Sequence, residues 1–158
     1  MGSEARDIRF VIIGAGMAGI LVGIRLLQSG RTNFAIYEKA ESLGGTWREN
    51  TYPGLCCDVP SHAYTYSFEA NPDWTSEMAS GPEIRDYFER TAQKYGVTPY
   101  ISYGEEVVDC QYHGGQWHLE TGKGTKDTAD VVIAATGILH HPAYPDIAGL
   151  ESFAGTTF

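Results

Sequence analysis

The sequence predicts an α/β domain wound around a parallel sheet, and three observations carry that expectation. A β-branched and aromatic run, Asp7 to Ile13, leads straight into glycines at 14, 16 and 19. Ile20, Leu21, Ile24 and Leu27 then recur at helical spacing within Met17 to Ser29, closed by Gly30. A second apolar run, Phe34 to Tyr37, ends on Glu38. Strand, glycine turn, helix, strand is the order of a βαβ unit.

The later elements follow in turn. Ser42 to Asp73 is rich in Gly, Pro, Tyr, Trp and Asn with no sustained period, and an irregular segment of that length is usually functional or disordered. Its aromatic content favours function. Gly81-Pro82 opens a second helix whose apolar stripe is Ile84, Tyr87, Phe88, Thr91 and Tyr95, closed by Gly96. Val107 to Tyr112 and Trp117 to Thr121 flank His113-Gly114-Gly115-Gln116 as a hairpin, and the turn at Gly122 to Thr125 extends it to a three-stranded meander. Val131 to Ala135 reads as a fully apolar strand, followed by Thr136-Gly137. With no internal repeat or linker, residues 1–158 read as one domain, long enough to bury about 68–70% of its surface.

The glycines have a chemical use. A dinucleotide's pyrophosphate must reach backbone N–H groups at a helix N-terminus, where any Cβ would obstruct it. Gly14 allows the tight turn out of the strand, Gly16 the approach of backbone to phosphate, and Gly19 close packing of helix on sheet; Gly23 keeps that contact close one turn on. Glu38 stands 19 residues after Gly19 at the end of the second strand, where its carboxylate is placed to accept both ribose hydroxyls. A carboxylate there disfavours a 2′-phosphate, so the expected ligand is FAD or NAD rather than NADP.

Composition excludes other classes. Twenty acidic side chains against 11 basic ones give a formal charge of −9, which argues against nucleic acid or an anionic membrane as the main partner. No apolar stretch reaches the roughly 18 residues that span a bilayer, and no secretory signal opens the chain, so a cytoplasmic location is expected. The three cysteines, Cys56, Cys57 and Cys110, form neither an even disulfide framework nor a CxxC pair and are expected to be reduced. His62, His113, His118, His140 and His141 lack metal-ligand spacing and read as surface or loop residues, so no metal site is expected.

The stretch YEKAESLGGTWRENTYPGLCCDVPSHAYTYSF, Tyr37 to Phe68, closely resembles the N-terminal FAD-binding region of the Baeyer-Villiger monooxygenases, flavin enzymes that use NADPH and O2 to insert oxygen next to a ketone. The likeness continues through ADVVIAATGILHHPAYPDIAGLESFAG, Ala129 to Gly155, and so covers nearly the whole chain. It implies a Rossmann-like doubly wound FAD-binding domain. It places Gly44, Gly45, Thr46, Trp47, Tyr52, Asp58, Val59 and Tyr64 along the flavin and the meander near Val107 at the adenine, and it adds Met17, Lys39, Thr136 and Gly137 to the cofactor contacts. Asp58 becomes the catalytic candidate, beside the flavin, where it helps position a catalytic arginine and the nicotinamide. No residue of this chain matches that arginine.

Physical reasoning supports part of this, since a flat isoalloxazine needs apolar and aromatic walls with a few polar groups. On residue type alone, a loop Trp or Tyr is more often a core plug than a cofactor wall, and Asp58 equally suits the cap of a turn. Cys57 matches the family and Cys56 departs from it. The family's FxGxxxHxxxW signature begins at Phe153 and Gly155, and Phe158 falls one residue before its histidine. The resemblance therefore implies an FAD domain incomplete at its C-terminus, with NADPH, a ketone and O2 handled by the complete enzyme and the missing C-terminal part as its partner. The chain alone is then not expected to be catalytically competent. An N- or S-oxygenating flavin monooxygenase, a non-catalytic flavin- or nucleotide-binding module and a simple NAD-dependent dehydrogenase stand as the rival readings.

Overall fold

The computed structural model describes residues 7–138 and 143–157, so His140 and His141 lie outside the described residues. Strand β1 (Phe10–Ile13), helix α1 (Met17–Gln28) and strand β2 (Phe34–Glu38) form the expected βαβ unit. β1 and β2 run parallel, with Phe10 opposite Phe34 and Ile13 opposite Tyr37. β1 begins three residues later than the apolar run suggested. The preceding backbone is drawn off the ladder by Asp130: the Arg9 N–H donates to its carboxylate at 2.9 Å, and the Arg9 carbonyl accepts from the Asp130 and Val131 N–H groups.

The irregular stretch contains one helical turn, α2 (Thr46–Glu49), and a 3-10 turn at Ser61–Ala63. Helix α3 (Gly81–Lys94) starts where the Gly-Pro pair indicated, with the Ser80 hydroxyl accepting from the Glu83 N–H at 3.4 Å. A short strand not read from the sequence, β3 (Ile101–Tyr103), pairs in parallel with β2. The meander is β4 (Val107–His113), β5 (Gln116–Thr121) and β6 (Lys126–Ala129), antiparallel throughout. β7 (Val131–Ala134) returns to pair with β1, giving the order β3-β2-β1-β7. The strand stands where the apolar run indicated, but its apolar composition does not make it a buried one. β7 ends at Ala134 and borders the sheet, with Val131 and Ala134 exposed, because β1 covers only one of its sides.

The period of two along each strand sorts side chains between two layers. Ile12 and Ile36 point to the helices and join Ile20, Ile24, Ile84, Phe88 and Val97 in one fully buried cluster. Val11 and Tyr37 point to the opposite face and meet Leu119 and Ala129 of the meander. The sheet is thus sandwiched, helices below and meander above, and both layers hold the C-terminal ends of β1 and β2 in place. Removing a side chain such as Phe88 from this packing costs about 3–5 kcal/mol. Among the described residues no helix is long and apolar enough to cross a membrane.

Candidate functional site

The chain turns sharply at the end of β1. Gly14 sits at φ 103°, a conformation that side-chain-bearing residues rarely adopt, and its N–H donates to the Tyr37 carbonyl at 2.8 Å. A Cβ on Gly14 would also lie 2.6 Å from the Ala135 carbonyl oxygen. One on Gly19 would overlap the Gly14 carbonyl oxygen, so these two glycines close the turn against the helix as the spacing predicted.

Gly16 is the N-cap of α1. It supplies no side-chain cap, and the first turn of α1 holds no acidic residue. The opening N–H groups of this helix are therefore left to a ligand or to solvent, and no acid of its own first turn opposes the positive end of the helix dipole. A second glycine turn crosses above it: the position of a Cβ on Gly45 lies 3.2 Å from Gly16 Cα, and the Gly44 N–H donates to the Ala15 carbonyl at 3.1 Å. Gly45, at φ 52°, is the more constrained of the two, since a Cβ on Gly16 would stand 3.6 Å from Gly45 Cα, an ordinary contact. The sequence reading gave Gly16 to the phosphate alone; the structure gives it the chain's own second turn as a neighbour.

Glu38 ends β2 directly beside the turn and is only 4% exposed. Its Oε2 accepts from the Ala15 N–H at 2.8 Å, and its Oε1 accepts from the Ala40 N–H and from Arg48 Nη1, both at 3.0 Å. Three protein donors thus occupy most of the acceptor capacity of a carboxylate that the sequence reading assigned to both ribose hydroxyls. Burial, and then the charge of Glu38, push the Tyr103 phenol up from its ordinary value.

The structure brings Gly14, Gly16, Gly19, Glu38, Gly45 and Thr136 to one place: Thr136 Cα lies 3.7 Å from the Cβ position of Gly14. Gly137 follows it at φ 75°. Met17 opens α1 and is substantially exposed, its carbonyl accepting from the Tyr66 hydroxyl at 2.6 Å. Burial pushes that Tyr66 phenol strongly up. Trp47 and Tyr64 meet edge to face with ring centroids 5.4 Å apart, and Trp47 Nε1 donates to the Tyr64 hydroxyl at 3.0 Å. Lys39 and Thr46 are exposed. Tyr52, Asp58 and Val59 are exposed on the loop ahead of the 3-10 turn, where the Val59 carbonyl accepts from the buried Cys57 thiol. Val107, at the start of β4, packs half-buried on the meander side of the sheet.

Sequence reasoning missed Arg48 and Tyr66. Both stand within the quoted run, but their contacts cross a glycine turn or reach 49 positions back, and no periodicity marks them. A cavity of about 630 Å³ beside α3, lined by Glu69, Asp73, Glu83, Asp86, Arg90 and Lys94 among others, includes none of the candidate residues. No group of three or more His, Cys, Asp or Glu able to hold a metal ion is found among the described residues.

A parallel βαβ unit, a glycine turn opening an uncapped helix and an acid buried at the end of the adjacent strand define a Rossmann-type α/β domain of the dinucleotide-binding kind. The chain belongs to the pyridine nucleotide-disulphide oxidoreductase family, which matches it over residues 11–157. The resemblance to Baeyer-Villiger monooxygenases holds as well. An uncharacterized monooxygenase of Mycobacterium tuberculosis is 52% identical over 147 residues, covering 93% of this chain and 30% of that protein. A Baeyer-Villiger monooxygenase of Pseudomonas aeruginosa is 44% identical over 158 residues, covering 99% of this chain and 30% of that protein. The crystal structure of OTEMO in complex with FAD and NADP superposes with a TM-score of 0.84 at 31% identity, over 98% of this chain and 30% of that one. The chain thus spans about 30% of the length of the relatives it matches.

Proposed function

We propose that this chain is the FAD-binding part of a cytoplasmic flavin monooxygenase of Baeyer-Villiger type, which uses NADPH and O2 to convert ketones to esters or lactones. The observation that carries the reading is the join between turn and acid: Glu38, buried at the end of β2, accepts from the N–H of Ala15 inside the glycine turn at 2.8 Å. That join sets a ribose-reading carboxylate beside a helix N-terminus suited to pyrophosphate.

The residues present fit the group. The uncapped N–H groups at the start of α1 would hold the pyrophosphate, with Gly16 and Gly45 putting no side chain in its path. Glu38 would take the adenosine ribose, and the Trp47–Tyr64 pair would wall the flavin ring with Tyr52, Asp58 and Val59 near it. Lys39, Val107, Thr136 and Gly137 complete the cofactor contacts in this reading. Bound flavin, reduced by hydride from NADPH, supplies the activation of O2. The protein's part is to bind and orient that cofactor, while the remainder of a longer enzyme brings the nicotinamide and the substrate. The names of the relatives and the FAD and NADP in the OTEMO complex support this assignment.

Titration of the purified chain with FAD and with NAD tests it. Retained flavin with a visible absorbance band that NAD does not displace is the expected outcome. Tight binding of NAD with no affinity for FAD overturns the assignment.

A further inference from the structure

We infer that Arg48 is the positioning residue of the dinucleotide site, holding Glu38 so that it reads a single hydroxyl of the adenosine ribose; the inference rests on the FAD reading above. A carboxylate offers about four acceptor positions. Ala40 and Arg48 fill those of Oε1, and Ala15 takes one on Oε2, which leaves one for a ligand. Two of the three donors are backbone N–H groups fixed by the turns that carry them. Arg48 is the third, and it alone brings charge.

Its guanidinium is held as firmly as the acid it holds. Nη1 also donates to the Ser42 carbonyl at 2.6 Å, Nη2 bonds Glu49 at 2.8 Å, and the side chain is 12% exposed. A planar fork can span these acceptors together, whereas an ammonium concentrates its donors at one point. The backbone N–H of Arg48 donates to the Gly45 carbonyl, so the same residue is anchored to the glycine turn that crosses Gly16. Without it, Glu38 is a buried carboxylate short of its cation, and such a group turns away or draws in water instead of keeping its geometry. Arg48 therefore transmits the order of the Ser42–Gly45 loop to the acid that reads the ribose.

The test compares two ligands on three proteins. The chain and its Arg48→Met and Arg48→Lys variants are titrated with FAD and with FAD built on 2′-deoxyadenosine. The unsubstituted chain is expected to prefer FAD by roughly tenfold or more, the worth of one hydrogen bond to a charged acceptor. In Arg48→Met that ratio should fall to near one, because Glu38 no longer stands where the 2′-hydroxyl arrives. Arg48→Lys should give an intermediate ratio, and it decides alone if the methionine variant does not fold. A ratio unchanged in the folded variants, whatever the absolute loss, overturns the role of Arg48, since general damage weakens both ligands alike. Failure of the unsubstituted chain to bind FAD overturns the dinucleotide reading and this inference with it.

Discussion

Arg9 grips Asp127 through two nitrogens, Nε to Oδ1 at 2.9 Å and Nη2 to Oδ2 at 2.6 Å, and so fastens the entry of β1 to β6 of the meander. The Tyr37 hydroxyl, on β2, donates to the same Oδ2 at 2.8 Å. One carboxylate thereby joins two layers at a point where hydrophobic contact is thin, since the cluster on this face of the sheet is much the smaller one.

Asp127→Ala should therefore destabilise the chain by about 1–3 kcal/mol, the cost of leaving partly buried donors unmade, as read by urea unfolding. Burial pushes the Asp127 carboxyl up, but hydrogen bonds from Arg9 and Tyr37 together outweigh it and leave the group below its ordinary value. A carboxyl lowered on folding stabilises above its unfolded pKa, and the contribution fades as pH falls through the folded one. The gap between native chain and variant should be constant from about pH 5 to 8 and close below about pH 4. Tyr37 acts in the opposite range. Burial, and then the bond to Asp127, push its phenol up to about 12, so its contribution is full below the ordinary value of 10.0 and is lost as pH rises through about 12. An alkaline limb that survives Tyr37→Phe unchanged would contradict this.

The βαβ unit, α3 and the meander were legible because each is announced by local signals: glycine spacing, a Gly-Pro start, a His-Gly-Gly-Gln turn. β3 was not, because three residues following a Pro-containing 3-10 turn give no alternation to read. The exposure of β7 was hidden for a different reason, as apolarity reports composition and not which side of a sheet is covered. At the site, the glycines and Glu38 could be found by spacing, but the donors that fill Glu38 could not. Ala40 is a near neighbour in sequence, but Ala15 meets Glu38 across the sheet and Arg48 reaches it only past the second glycine turn, and those are tertiary events.

Two glycines of the turn should respond in opposite ways to alanine. At Gly16, φ is −79° and a Cβ would stand 3.6 Å from Gly45 Cα, an ordinary contact, so Gly16→Ala should fold. Its FAD affinity should nonetheless fall about tenfold or more, because the methyl group enters the approach of the pyrophosphate. At Gly19 the methyl would overlap the Gly14 carbonyl oxygen, which neither turn nor helix can vacate, so Gly19→Ala should lose folded protein outright. Circular dichroism with flavin titration separates the two. Undiminished FAD binding by folded Gly16→Ala would make the turn merely structural.

Trp47 and Tyr64 carry a distinct expectation, because they sit 17 positions apart yet share a hydrogen bond and an edge-to-face contact. Tyr64→Phe removes the acceptor of a half-buried indole N–H and should cost about 0.5–1.5 kcal/mol in unfolding experiments. If the pair walls the flavin ring, Trp47→Leu should weaken FAD binding while leaving ADP binding unchanged, since ADP lacks the ring. Equal losses for FAD and ADP would assign the pair to packing.

The last prediction concerns turnover. The 158-residue chain, saturated with FAD and given NADPH and a cyclic ketone, should form no lactone and consume NADPH only at background rate. Hydride transfer needs the nicotinamide held against the flavin with reacting atoms about 3–3.5 Å apart, an alignment worth some 7–11 kcal/mol of barrier. The sequence contains a single GxGxxG turn, at Gly14 to Gly19, and in the proposed reading Glu38 beside it gives that turn to a dinucleotide without a 2′-phosphate. The other glycine turn that opens a helix, Gly44-Gly45 ahead of α2, fronts a single helical turn and is packed against Gly16 of the first. Supplying the segments that the relatives carry outside the matched region, joined to the chain or as a second polypeptide, should restore NADPH-dependent oxygenation. Product analysis by gas chromatography with parallel NADPH absorbance decides it, and lactone formed by the chain alone at rates unchanged on adding those segments would show that the cofactor-cradle reading is wrong.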